Sequence, residues 1–181
     1  MGLGNPGPRY ELTRHNVGFL VIDNLAEKHR IKLTQHRYSS HYGEGEIDGL
    51  RVMVAKPATY MNHSGKAVKS ILAALKVPTE HIIVVHDEID LPLGKVKKKK
   101  KGGDAGQLGI RSIIETTQTD RFNRVRVGVG RPEDPEDIVD YVLSPFEQED
   151  SDTLNDVIEQ AVRMVELTLQ ELETEPNLTE E

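Results

Sequence analysis

The 181-residue sequence contains no cysteine, which excludes disulfide bonds, thiolate nucleophiles and cysteine-based zinc sites. This absence fits a reducing cytoplasm. Long apolar runs are also absent, since none approaches the ~18 residues that a membrane span requires. The first residues show neither the basic nor the apolar region of a signal peptide. We therefore expect a soluble cytoplasmic protein.

Linkers rich in proline, glycine or serine are absent too, and no internal repeat is visible. One domain with a sizeable core is therefore expected at residues 1–173. Residues 174–181 carry only negative charges, and we expect them to form an acidic, disordered tail.

Positive charge is scarce in the carboxy-terminal part of the chain. Residues 133–181 hold 1 Lys or Arg against 17 Asp or Glu, whereas residues 1–132 hold 22 against 13, so the two parts carry −16 and +9. A basic body permits contact with nucleic acid although the net charge is −7, because affinity follows the local field. A solvated acidic helix and tail explain the same asymmetry, so charge alone leaves both interpretations open.

Apolar periodicity predicts helices and strands that alternate along the chain. This alternation favours the α/β class, as a single three-layer α/β/α domain around a mixed, mainly parallel twisted sheet. The predicted elements are a helix from Val17 capped by Asn16, strands within 31–57 joined by a hairpin at Asp48-Gly49, a helix capped by Ser64, a buried strand at 82–85, a helix from about Gln107, a half-buried strand at 124–129 and a helix at 152–173.

Two polar side chains near the start of the chain are candidates for chemistry. The glycines and prolines of residues 2–8 form a stiff turn with Asn5 at its tip, and His15 comes just before the first helix. An imidazole with a pKa of about 6.5 is suited to proton transfer near neutral pH. Taken alone, His15 is better explained as a capping or surface histidine than as a catalytic one.

Asp87 follows the buried strand, at the end where open α/β sheets place their ligand crevice. Its carboxylate can orient a histidine, although a turn or capping role explains it as well. The run His86-Asp87-Glu88 suggests a metal site, but no second histidine pair and no H-E-x-x-H motif accompany it. No G-x-S-x-G elbow or phosphate-binding lysine loop is present either. We therefore expect neither a metal nor a cofactor.

Residues 95–101 contain six lysines, enough to bind several phosphates in a salt-dependent way. A solvated lysine face is the usual explanation of such a run. Its position beside a glycine loop and near the predicted crevice favours contact with RNA phosphates.

Five segments together resemble the bacterial-type peptidyl-tRNA hydrolase family. They follow the order and spacing of that family, and the resemblance covers roughly residues 2–170. The segments are GLGNPG at 2–7, TRHNVGF at 13–19, KPATYMNHSGK at 56–66, HDEIDLPLG at 86–94 and RVRVGVGRP at 124–132.

The resemblance implies a monomeric enzyme that cuts the ester between a peptide and the 3′ ribose of transfer RNA without a metal. It implies that His15 is the general base that activates water and that Asp87 orients it. Asn5 and Asn62 are expected to hold the substrate and the oxyanion. The full set of expected substrate-binding residues is Asn5, Tyr10, Tyr60, Asn62 and Gln107, and the residues expected to contact the acceptor stem and 3′ end are Lys99, Lys101 and Arg126.

The sequence departs from the family pattern at three sites, one of which is residues 97–101, where lysines are denser than the alternation of a half-buried strand predicts. Gln107 and Leu108 replace the usual histidine and asparagine; the amide can still form hydrogen bonds, whereas leucine cannot. We expect this change to affect substrate affinity or specificity more than water activation. The family usually has an apolar strand before its glycine turn, and only Met1 precedes the turn here. Either the sheet lacks that strand or the start of the given sequence is truncated. A missing strand would threaten stability and the placement of Asn5, because its backbone partners would lose their ladder bonds.

Two other functions remain open. A hydrolase-like RNA-binding protein without turnover fits the altered residues 107–108. A nucleoside-processing enzyme of similar layered architecture is disfavoured, because no base-binding or phosphate signature is visible. The set of Asn5, His15, Asn62 and Asp87 favours the hydrolase, since binding alone requires no base and no partner to orient it.

Overall fold

A computed structural model describes residues 1–174, so the predicted tail lies outside the described residues except for Thr174, which ends the last helix. Within this range, no helix combines the length and the hydropathy needed to cross a membrane. The helices are α1 Val17–Lys28, α2 Ser64–Leu75, α3 Leu108–Thr117, α4 Ile138–Val142 and α5 Ser151–Thr174, and the strands are β1 Gln35–Arg37, β2 Ser40–Ile47, β3 Leu50–Pro57, β4 Ile83–Glu88, β5 Val96–Lys99 and β6 Asn123–Gly128.

The strands form two three-stranded sheets, in the orders β1-β2-β3 and β4-β6-β5. The predicted hairpin between β2 and β3 is confirmed, because Asp48 and Gly49 both have a positive φ, of 52° and 86°. The α/β class with a mixed sheet is confirmed, but its parallel share is smaller than predicted. Among these strand pairs β4 and β6 are parallel, whereas β1–β2, β2–β3 and β5–β6 are antiparallel.

Residues 1–3 connect the two sheets. The N–H of Gly2 donates to the carbonyl of Ala55 in β3 at 3.1 Å, and the N–H of Leu3 donates to the carbonyl of Val85 in β4 at 2.9 Å. Val85 in turn donates to the carbonyl of Met1 at 2.8 Å. Residues 1–3 therefore supply the ladder bonds that a missing strand ahead of Asn5 would cost, because they pair with strands on both sides.

The helices cover both faces of the β4-β6-β5 sheet, as the predicted three-layer arrangement requires. Ile83 and Val85 point toward the layer of α1 and α5, and Val84 points toward the layer of α2 and α3. Successive side chains of a strand point to opposite faces, so both layers receive apolar side chains from β4. This burial explains the continuous apolar run at 82–85.

Strand β6 is buried on both faces, which corrects the prediction of a half-buried strand. The charged side chain of Arg124 is only 2% exposed. Its guanidinium donates to the backbone carbonyls of Gly102, of Gly103 at 2.8 Å and of Asp120 at 3.1 Å. Backbone acceptors thus compensate for burying a charge that the alternating pattern assigned to solvent.

Neither of the two predicted helix caps forms. The side chain of Asn16 bonds to the backbone of Asn5 instead of to α1. The hydroxyl of Ser64, the first residue of α2, donates to the carbonyl of Met61 at 2.7 Å. Both side chains therefore hold the segments before the helices in place.

We predict that Gly18→Ala destabilises the fold. A Cβ at Gly18 in α1 would lie 2.4 Å from the carbonyl oxygen of Val85 and 2.6 Å from that of Leu3. Backbone atoms cannot yield as a side chain does, so we expect the free energy of unfolding to fall by about 2 kcal/mol in a urea titration. Gly103→Ala is the matched control, because a Cβ there meets nothing within 4 Å. Equal stability of the two variants would contradict the close approach of α1 to the sheet.

Candidate active site

A cleft of about 300 Å³ lies at the carboxyl end of β4. A larger apolar cleft of about 430 Å³, bordered by Met1, β3 and the end of α5, contains none of the predicted site residues. The smaller cleft contains both predicted catalytic residues and four of the five predicted substrate-binding residues, namely His15, Asp87, Asn5, Tyr60, Asn62 and Gln107.

His15 and Asp87 form a buried pair. His15 lies in the 3-10 turn Arg14–Asn16 just before α1, and Asp87 is the fifth residue of β4. The imidazole Nδ1 lies 2.7 Å from Oδ2 of Asp87, and the two residues are 8% and 3% exposed. The contact joins residues that are 72 positions apart in the chain.

Burial and pairing shift the pKa of each group in opposite directions. Burial lowers the pKa of His15, but the charge of Asp87 and its hydrogen bond more than offset this effect, so the pKa is raised above its ordinary value. Burial raises the pKa of Asp87, yet the charge and hydrogen bond of His15 and the hydrogen bond of Gln107 lower it overall. An ionised Asp87 that accepts from Nδ1–H leaves Nε2 of neutral His15 as the proton acceptor. Among residues 1–174 no hydrogen-bond partner contacts that Nε2.

Asn5 is held on three sides. Its N–H donates to Oδ1 of Asn16 at 2.8 Å, its carbonyl accepts from Nδ2 of Asn16 at 2.9 Å, and its Oδ1 accepts from the N–H of Met61 at 2.8 Å. The contact with Met61 fixes which end of the amide is oxygen. The Nδ2 group of Asn5 therefore remains a donor with no protein partner within residues 1–174.

The segment between β3 and α2 provides Tyr60 and Asn62. Both side chains line the cleft, and Tyr60 is 57% exposed. Tyr10, which was also predicted to bind substrate, does not line the cleft. Its ring contacts that of Tyr60 edge-on, with 6.3 Å between the centroids. Tyr10 thus contacts a residue of the cleft without lining the cleft itself.

Gln107 lies at the start of α3, as predicted, but its side chain contacts the protein. Its Nε2 donates to Oδ1 of Asp87 at 2.9 Å, and its Oε1 accepts from the N–H of Ile110 at 2.8 Å as the cap of α3. Leu108, the next residue, lines the cleft and is 46% exposed. The two replaced family positions therefore face the same cleft.

The cleft also has an apolar wall that was not predicted from the sequence. It consists of Ile138, Val139, Val142 and Leu143, in and next to α4. The short run IVDYVL at 138–143 is a signal for such an element, but its five-residue helix is too short to show clear periodicity.

Arg14 anchors the segment that follows this wall. Its guanidinium donates to Oγ of Ser144 at 2.8 Å and to the carbonyl of Pro145 at 2.5 Å, and it lies 4.3 Å from the ring centroid of Tyr141. Arg14, the neighbour of His15, thereby links the turn that carries His15 to a segment about 130 residues away.

The three residues predicted to contact transfer RNA do not line the cleft. Lys99 is the last residue of β5, and Lys101 is exposed just after it. Arg126 in β6 is half-buried, with Nη1 3.4 Å from Oε2 of Glu88. Lys98 contacts Glu171 of α5, so the acidic helix packs beside the lysine run. Their contact with RNA stays a prediction.

The run 86–88 does not form a metal cluster. His86 is 2% exposed, and its Nδ1 lies 2.7 Å from the backbone carbonyl of Asp87. Within the described part of the chain, no group of three or more His, Asp or Glu side chains is arranged to hold a metal ion. The carboxylate of Asp87 is instead shared by His15 and Gln107.

Comparison with known proteins gives consistent results. A family model described as "Peptidyl-tRNA hydrolase" matches residues 1–180. The peptidyl-tRNA hydrolase of Aquifex aeolicus is 48% identical over 163 residues, which cover 90% of this chain and 85% of that protein. That of Bacillus subtilis is 42% identical over 168 residues, covering 93% and 89%. A crystal structure of the Acinetobacter baumannii peptidyl-tRNA hydrolase matches with a TM-score of 0.89 and 34% identity, covering 94% and 87%.

Proposed function

We propose a water-activation mechanism for this chain, which belongs to the peptidyl-tRNA hydrolase family and is therefore an ester hydrolase that releases peptide from peptidyl-tRNA. The observation that carries the mechanism is the buried hydrogen bond between His15 and Asp87 at the wall of the cleft. General-base catalysis requires a neutral imidazole with one nitrogen free, and this hydrogen bond leaves Nε2 free.

The reaction begins when Nε2 of His15 takes a proton from a water molecule in the cleft. The water oxygen forms a bond to the ester carbonyl carbon, and the carbonyl oxygen becomes an oxyanion. When this intermediate collapses, the bond to the ribose 3′ oxygen breaks, and that oxygen takes the proton from Nε2 of His15, which returns the ring to its neutral form. The products are a free peptide and transfer RNA with a 3′ hydroxyl. Because an alkoxide is a better leaving group than an amide nitrogen, one base and a few donors suffice.

Two amide side chains supply donors for the oxyanion and the substrate. The Nδ2 of Asn5 is oriented by the contact between its Oδ1 and Met61, and Asn62 lines the same cleft. Fixed donors stabilise developing charge because they need no reorganisation during the reaction. Tyr60 is the aromatic contact at the mouth of the cleft, with Tyr10 packed behind it.

We assign the acceptor stem and 3′ end of the transfer RNA to the side of Lys99 and Lys101. Lys99 ends β5 and Lys101 comes just after it, and β5 pairs with β6, whose parallel partner β4 carries Asp87. Arg126 is the third candidate, although its contact with Glu88 competes with phosphate. We further propose that residues 1–173 act as one domain, as a monomer, in the cytoplasm where translation takes place.

Release of peptide from purified peptidyl-tRNA tests the function directly. We expect release to continue in the presence of a chelator, because the proposed base is a side chain and not a metal-bound water. Binding of the RNA without release would favour the alternative, a hydrolase-like RNA-binding protein without turnover. Loss of release on chelation would contradict the metal-free mechanism.

Substrate binding should weaken as salt increases. Each lysine that neutralises a phosphate contributes a slope of roughly 0.7 in log K against log [salt] on single-stranded RNA. A double variant with Lys99→Gln and Lys101→Gln should therefore reduce the slope by about 1.4. Lys32→Gln, an exposed lysine before β1, is the control and should leave the slope unchanged. An unchanged slope in the double variant would remove these lysines from the RNA interface.

A further inference from the structure

The amide of Gln107 connects the catalytic carboxylate to the start of α3. Its Nε2 donates to Oδ1 of Asp87 at 2.9 Å, while the other carboxylate oxygen, Oδ2, lies 2.7 Å from Nδ1 of His15. Its Oε1 accepts from the N–H of Ile110 at 2.8 Å. Each end of the amide thus has a protein partner, and each oxygen of Asp87 has one too.

We propose that Gln107 is a positioning residue that holds the Asp87 carboxylate in the orientation His15 requires, and that it does not bind the substrate. This proposal rests on the function proposed above. It replaces the expectation from sequence that Gln107 is part of the substrate-binding set.

The hydrogen bonds leave the carboxylate little freedom to turn. A carboxylate bonded through one oxygen can still rotate about the bond to its Cβ, because that torsion is broad. The N–H of Gln107 holds Oδ1, so Oδ2 stays directed at the imidazole. A side chain that supports a catalytic group must itself be held rigidly for the geometry to last.

Gln107 meets this requirement through α3. The N–H of Ile110 can only donate, so its partner is the amide oxygen, and the amide nitrogen must then face Asp87. Ile110 and Ile113 of α3 are 0% exposed in the core between α3 and α2. The orientation of the Asp87 carboxylate is therefore fixed by a packed helix and not by a mobile loop.

The same contacts argue against a role in substrate binding. A substrate group that bonded to the amide oxygen would compete with the cap of α3. The two N–H groups of the amide are directed at Oδ1 of Asp87 and at Sδ of Met61, which lies 3.3 Å from Nε2, so a substrate acceptor would displace one of these contacts. The hydrogen bond from Gln107 also contributes to lowering the pKa of Asp87. An amide does not titrate, so Gln107 does not change its own charge with pH as a histidine would.

Two variants separate positioning from helix capping. Gln107→Ser keeps a residue that caps helices well but is too short to reach Asp87, whereas Gln107→Met fills the space and supports neither contact. We expect both variants to lower kcat by about tenfold, since one hydrogen bond to a charged group typically contributes a free energy of that order. KM should change by less than about twofold. Gln170→Ser is the matched control, because Gln170 donates to the carboxylate of Asp48 at 3.2 Å on the surface.

A second measurement tests the positioning role of Gln107 without requiring hydrolysis. Loss of the donor leaves more negative charge on the carboxylate that faces His15, so the pKa of His15 should rise in both Gln107 variants. A titration of the His15 ring by NMR in the free enzyme measures this shift, and the pH profile of kcat/KM should move to higher pH with it. Since the titration needs no substrate, it remains informative even if the proposed hydrolysis fails.

Three results would overturn the proposal. A raised KM with unchanged kcat and an unshifted His15 titration would show that Gln107 binds the substrate. Normal kinetics in Gln107→Ser together with impaired kinetics in Gln107→Met would show that Gln107 acts only as the cap of α3. An equal effect of Gln170→Ser would show that the loss does not arise at this carboxylate.

Discussion

Replacement of His15 by alanine is expected to lower peptide release by about 10³-fold, within the range that a general base contributes. Transfer-RNA binding should change by less than about threefold. The imidazole is buried at the wall of the cleft, and its Nδ1 is bonded to Asp87 and is not available to the RNA. Single-turnover release at saturating enzyme measures the chemical step, and a separate titration with transfer RNA measures binding.

The control for this substitution is His36→Ala, which removes an exposed imidazole from β1 and should leave both quantities unchanged. A loss of RNA binding as large as the loss of rate in His15→Ala would mean that His15 has a structural role. In that case the alternative of an RNA-binding protein would regain support.

Asp87→Asn is expected to have an effect of similar or greater size, about 10⁴-fold in kcat, as for the loss of the orienting carboxylate in an Asp-His pair. The carboxylate accepts from Nδ1 of His15 with Oδ2 and from Nε2 of Gln107 with Oδ1, and asparagine has an NH2 donor in place of one of these two oxygens. The imidazole then loses the partner that sets its tautomer, and Nε2 is no longer reliably the basic nitrogen.

The same variant should reverse the pKa shift of His15. In the wild type, kcat/KM should rise with pH through a His15 pKa above the ordinary value, because only the neutral ring is a base. Without the charge of Asp87 the burial remains and lowers the pKa, so the rise should move to lower pH. Asp23→Asn, at an exposed carboxylate paired with Lys56, should leave the profile in place. An Asp87→Asn profile that moved to higher pH would contradict the proposed pair.

The Gln107 contact shows the limit of prediction at the site. Its position just before α3 was predictable from periodicity, and its replacement of a family histidine was visible in the chain. The direction of its amide was not, because that direction depends on where α3 brings the N–H of Ile110 relative to β4. A side chain's hydrogen-bond partners are set by tertiary distances that no local pattern encodes.

The charge distribution shows a similar limit. The chain divides into a basic part and an acidic part when residues are counted in order. In the structure Lys98 of β5 contacts Glu171 of α5, so the acidic helix neutralises part of the lysine run. The count therefore predicted the signs of the two regions but not that they meet.

By itself the sequence determined the local elements and the types of residue at the site. Apolar spacing indicated α1, the buried β4 and the long α5, and the Asp48-Gly49 pair indicated the β2–β3 hairpin, because these signals depend on residues close together in the chain. Five segments identified the family and with it the roles expected of His15 and Asp87. The tertiary structure alone decided that residues 1–3 join the two sheets, that Arg14 holds the segment after α4 and that Gln107 faces Asp87. These contacts join residues 20 to about 130 positions apart, and their existence depends on the order of strands in the sheet and the packing of helices on it.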